Sequence, residues 1–101
     1  MTVLVWREPD IEMSREALLT SVREARERLA DPDQLEIVGY GIGAVAAGSL
    51  AIHAKRLGIR LAKVTLVEPD WSQPDPISGQ LIDEQRVTRL LSDRARRTPP
   101  D

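Results

Sequence analysis

The chain contains no cysteine and no phenylalanine, and its aromatic residues are Trp6, Tyr40 and Trp71 alone. Without thiols there is neither a disulfide framework nor a thiolate zinc site. With so few rings, the interior must be filled by Leu, Ile, Val and Ala, which supply most of the 42% hydrophobic fraction. An excess of one charge is also lacking: 14 basic residues stand against 16 acidic ones, so the chain has no electrostatic footprint for nucleic acid. Nor is there a long hydrophobic run. The stretch from Ile42 to Ile52 is broken by Gly43 and Gly48 and is too short to cross a bilayer, and the first residues lack the basic-then-apolar pattern of a signal peptide. These absences predict a soluble, cytoplasmic protein with neither a nucleic-acid nor a membrane partner. They also predict one domain over residues 1–101, a size at which only about two-thirds of the unfolded surface is buried.

What is present reads as alternating strands and helices. Thr2 to Trp6 is a short apolar, β-branched run closed by Arg7-Glu8-Pro9-Asp10, as a buried strand would be. Ser14 is placed as a helix N-cap, with Leu18, Val22, Ala25 and Leu29 following at helical spacing up to Ala30. Leu35 to Val38 reads as a second strand, Ala44 to Leu57 as an alanine-rich helix closed by Gly58, and Ala62 to Val67 as a third strand. A proline-rich loop through Pro76 leads to a last amphipathic helix over Gly79 to Arg94, with Leu81, Val87, Leu90 and Leu91 on its apolar side. The fold expected is α/β: a three-layer sandwich with a short parallel sheet, minimally βαβαβ plus a C-terminal helix, whose three helices barely cover both faces. Three strands leave two open edges, which favours a homodimer or a protein partner at an edge.

Between the second strand and its helix stands Gly39-Tyr40-Gly41-Ile42-Gly43. A glycine turn that opens a helix suits anions and oxyanions, because the first helical N–H groups lack partners and carry partial positive charge. Gly39, Gly41 and Ala44 fit the dinucleotide pattern G-x-G-x-x-G/A, with Glu68 as the ribose acid. However, the acid falls later than the usual spacing, and the turn follows the second strand instead of the first.

Read together, Leu35 to Pro69 resembles the nucleophile-elbow region of the thioesterase domains that end polyketide and nonribosomal peptide assembly lines, within the α/β-hydrolase superfamily. Their Gly-aromatic-Ser-x-Gly-Gly/Ala pattern stands here as Gly39-Tyr40-Gly41-Ile42-Gly43-Ala44. Ala47, Ala51, Leu57-Gly58, Leu61-Ala62 and Val64-Thr65-Leu66-Val67 continue the match without a gap, and Glu68 falls where these thioesterases often keep their catalytic acid. The resemblance implies an α/β-hydrolase-like core and an acyl or peptidyl ligand. It also implies an acidic carrier protein as partner, which Arg94, Arg96 and Arg97 could meet.

One departure changes the expected chemistry. Gly41 stands where the family has its nucleophilic serine, and neither Tyr40 nor Ile42 replaces it. The single histidine, His53, lies twelve residues further on, about 18 Å up a continuous helix, and reads as a solvent-facing or hydrogen-bonded residue. The family's histidine comes from a later strand that has no counterpart among these 101 residues, as does a strand that would lie between the first two. The expectation is therefore a truncated domain in which the first strand moves in beside the second.

Glu8, Asp10, Glu68 and Asp70 follow the first and third strands and would share the carboxyl edge with the turn. They read as solvated loop acids, or as oxygen ligands for a hard cation, or as a general acid or base, Glu68 and Glu8 foremost. Trp6 and Trp71 either complete the core or line an apolar pocket. The candidate ligand site is thus Gly39, Tyr40, Gly41, Ile42, Gly43, Trp6 and Trp71, with no metal and no cofactor expected. The leading functional expectation is a non-hydrolytic accessory or binding protein. The alternatives are a cyclase or isomerase with a carboxylate base and an oxyanion site at the turn, and a dinucleotide-binding module.

Overall fold

The computed structural model describes residues 2–8, 12–29 and 35–97. Its elements alternate as β1 (Thr2–Trp6), α1 (Arg15–Glu27), β2 (Leu35–Tyr40), α2 (Ile42–Leu57), β3 (Lys63–Val67) and α3 (Glu84–Arg97). The expected α/β fold, βαβαβ with a C-terminal helix, is the one observed. The strands form one parallel sheet in the order β1-β2-β3, with Leu4 opposite Ile37 and Ile37 opposite Val64. β1 does lie directly beside β2.

The helices obey local rules that the residues make plain. Ser14 caps α1 by accepting the amide of Ala17 at 3.1 Å, and Leu18, Val22 and Ala25 form its buried stripe. The helix stops at Glu27, short of Ala30, because the amide of Arg28 turns back to the carbonyl of Ala25. Gly58 closes α2 in a left-handed conformation. α3 begins at Glu84 and not at Gly79: the carboxylate of Asp83 caps it by accepting the amide of Gln85 at 3.0 Å. Leu81, expected on the inner side of that helix, instead precedes it in a bridge to Pro74 and is 67% exposed.

Among the described residues, helices cover one face of the sheet and not both. Two right-handed crossovers that run in the same direction, β1 to β2 to β3, place both helices on one side. Leu18, Val22 and Ala25 of α1 and Ala46, Ala47 and Leu50 of α2 share a single core with Trp6, Leu35 and Ile37. The opposite face carries Val3, Val5 and Tyr40, all exposed. α2 is the middle layer. It is buried almost all round from Gly43 to Ala51, with the sheet on one side and, on the other, Val87 of α3 and the ring of Trp71 against Gly48. Small residues make this possible, since a helix enclosed on two sides must let its neighbours approach closely.

Replacing Ser14 by Ala removes the only side-chain cap of α1, and we expect a loss of about 1 kcal/mol in urea unfolding with an unchanged m-value.

Candidate functional site

The turn between β2 and α2 is built by backbone contact. A Cβ added at Gly39 would overlap the carbonyl of Gly43, and one added at Gly43 would overlap the carbonyl oxygen of Trp6. These two glycines let the first turn of α2 lie against β1 and β2 without a side chain between them. Gly41, between them, has φ 59° and ψ −116° and caps α2 without a side-chain hydrogen bond. A side chain in this conformation is strained, yet one placed here would meet nothing within 4 Å. Position 41 is thus the tip of a sharp strand-to-helix turn that points into open space, which is how an elbow presents a nucleophile.

The tip is held from the third strand. The amide of Gly41 donates to the carbonyl of Val67 at 3.1 Å, and the carbonyl of Gly41 accepts the amides of Ala44 and Asp70, each at 3.2 Å. To bring Asp70 back over the turn the chain must reverse immediately after β3, and Glu68 there has φ 47°, the only positive φ at a non-glycine among the described residues. Such a backbone costs on the order of 1–3 kcal/mol. Glu68 therefore stands beside the turn, exposed and strained.

The other predicted site residues scatter. Tyr40 is exposed on the uncovered sheet face, while Ile42 opens α2. Glu8 is exposed two residues past β1, and Asp10 lies outside the described residues. Asp70 is exposed too, its carboxylate held below the usual range by hydrogen bonds from the Ser72 hydroxyl and amide. Among the described residues no three His, Asp or Glu side chains stand close enough to hold a metal ion. The ring of Trp6 is buried, with its indole N–H directed at the Ser21 hydroxyl at 3.4 Å. The ring of Trp71 packs on Gly48, on the other side of α2. The tryptophans do not converge on the turn.

A polar cluster that the sequence reading did not assemble lies further along α2. Asp75, 3% exposed, accepts a short hydrogen bond from the hydroxyl of Ser49, which is fully buried. The amide of Ile77 donates to the same oxygen at 2.8 Å, and the other oxygen meets His53 Nε2 at 2.8 Å. Arg56 lies 3.0 Å from His53 Nδ1. Because a guanidinium only donates, Nδ1 is the acceptor and Nε2 carries the proton given to Asp75. Burial pushes the Asp75 carboxyl upward, but the hydrogen bonds from Ser49, His53 and Ile77 outweigh it and hold the group below its ordinary value.

Serine, histidine and aspartate together suggest a triad, but the connections are wrong for one. Serine and histidine each bond the carboxylate and not one another, so no base addresses the hydroxyl, and the hydroxyl is closed off from solvent. The cluster is an anchor that fastens the loop after β3 onto α2. Its signal in the sequence was the i, i+4 pair Ser49 and His53 on an otherwise apolar helix, since a buried hydroxyl there demands a partner.

Compared with known proteins, the chain matches no family model, no curated protein and no solved structure. Among the described residues no helix is long and apolar enough to cross a membrane.

Asp75→Ala leaves a buried serine and a histidine without their acceptor, and we expect it to cost about 2–4 kcal/mol. Because the folded-state pKa of Asp75 lies below its unfolded value, its contribution is complete above about pH 4 and fades as pH falls further. Urea midpoints measured from pH 7 to pH 2 should therefore fall less steeply in Asp75→Asn than in the parent chain.

Proposed function

We propose that this protein is a non-hydrolytic, thioesterase-like accessory or binding protein, of the kind that polyketide or nonribosomal peptide assembly would employ in the cytoplasm. The observation that carries the reading is the backbone at Gly41. The turn keeps the strained geometry and the open outlook of a nucleophile position, with glycines required on both sides, yet offers no hydroxyl. The only histidine is engaged by Asp75 and Arg56. Such a turn can still receive a carbonyl oxygen or carboxylate at the amides of Ile42 and Gly43, because a helix N-terminus favours partial negative charge. Its ligand would be an acyl or peptidyl thioester, brought by a carrier protein, and the open edges of β1 and β3 leave room for a protein partner.

A second reading has one observation in its favour. Glu68 is held in a left-handed backbone beside the turn, and strain of this kind clusters where a side chain must be aimed at a ligand. It would serve as the base of a cyclase or isomerase that forms no covalent intermediate, with the turn as oxyanion site.

Two measurements test these readings. Small acyl thioesters should raise the melting temperature of the chain in a concentration-dependent manner, whereas the free thiol should not. No shift with any acyl chain length, or a shift with NAD or FAD instead, counts against the proposal, and turnover of the thioester that is lost in Glu68→Gln decides for the enzyme.

Gly41→Ser should lower stability by roughly 1–3 kcal/mol, since serine must adopt the positive φ that glycine tolerates. It should restore no esterase activity, because the chain's only histidine is held by Asp75 and Arg56 further along α2. Covalent labelling of that variant by a fluorophosphonate would show this account of the turn to be mistaken.

A further inference from the structure

A parallel sheet is ordinarily covered on both faces, and here, among the described residues, no helix covers the face opposite α1 and α2. Its side chains fall into three rows set by the strand register. Val3, Glu36 and Lys63 form the row nearest the amino ends of the strands, Val5, Val38 and Thr65 the middle row, and Tyr40 and Val67 the row nearest the carboxyl ends. Val3 is 45% exposed, Val5 51% and Tyr40 43%. Within the strands, charge is thus confined to one end of a largely aliphatic surface and the aromatic hydroxyl to the other, where the exposed Arg7 follows β1.

We propose that this face binds a second copy of the chain, the two sheets stacking about a two-fold axis that runs across the strands. Sheets that pack face to face keep their strands within about 30° of alignment, which leaves two senses to compare. With the axis along the strands, Glu36 on the central strand faces its own copy and two like charges meet. With the axis across the strands, each strand lies over its own copy in the reverse direction, and the first row of one molecule meets the last row of the other. Glu36 then faces the hydroxyl of Tyr40, a donor for its carboxylate. Lys63 lays its stem over Val67 and brings its ammonium to the carboxyl end of β3, where Glu68 is exposed. Val5 and Val38 close on their own copies in the middle. Only this sense separates the two Glu36 carboxylates while giving Glu36 and Lys63, neighbours within their own row, partners across the contact, and it explains why the bare face is uncharged at its centre.

The inference does not depend on what the turn binds, and it differs from pairing at an edge strand because no strand hydrogen bonds are shared. A three-stranded face is small beside a standard stable interface, so the dimer is weak and forms with rising concentration. Sedimentation equilibrium of the full chain from micromolar to millimolar concentration should show a monomer–dimer equilibrium. Val5→Lys, at a half-exposed position that the fold does not need, should weaken it by roughly tenfold or more, since a charge would be buried against its own copy. Lys63→Glu and Glu68→Lys should each weaken the dimer, and the double reversal should recover most of the loss. A chain that stays monomeric throughout overturns the proposal. So does a dimer indifferent to Val5→Lys, which would place the contact at an edge, and so does a double reversal no better than the single changes. Circular dichroism confirms that each variant is folded before its association is read.

Discussion

Where α2 leaves the sheet, backbone rests on backbone. Gly39 and Gly43 remove the two Cβ atoms that would hold the helix away from β1 and β2, and the rest of the molecule is arranged around that contact. It sets the height of α2 over the sheet, so that Ala46, Ala47 and Leu50 reach Leu35 and Ile37. It also forces the link at Gly41 into a positive φ, and this sharp link brings the tip within hydrogen-bonding distance of the end of β3. Bulk at either flanking glycine would have to lift the helix, and with it the core and the turn together.

A helix so deeply enclosed needs cover on its far side, and a chain of this length has little apolar material left to supply it. The cover is a loop and one turn of α3: Trp71 and Val87 on Gly48, then Asp75 on Ser49 and His53. A buried carboxylate is a costly means of fastening a loop unless its hydrogen-bonding capacity is met. Here a hydroxyl, an imidazole N–H and a backbone amide meet it, and they lower its pKa in spite of burial. The anchor thus stabilises the fold at neutral pH and weakens in acid. The same arrangement withdraws the chain's only histidine from chemistry at the turn.

Much of the fold was legible because it follows local rules. Apolar β-branched runs marked the strands, Ser14 and Gly58 marked helix ends, and the glycine turn was recognisable by spacing alone. α3 was misplaced because Leu81 fits a helical stripe as well as it fits a loop, and the cap at Asp83 was overlooked. The anchor was illegible for a different reason. Ser49, His53 and Asp75 are separated by as many as 26 positions, and nothing in the proline-rich stretch around Asp75 says which surface it will fold onto.

By itself, the sequence determined the alternation of strands and helices and the missing hydroxyl at residue 41, because each depends on neighbours a few positions apart, and that alternation in turn implied the parallel sheet. The tertiary structure alone decided that α1 and α2 fall on one face, that Asp75 is the partner of His53, and that Val3, Val5 and Tyr40 stand in the open. The physical reason is that burial belongs to a surface, and a surface exists only once distant segments have packed: the pattern of apolar residues along a strand says that a face can be covered, not whether the crossovers will cover it.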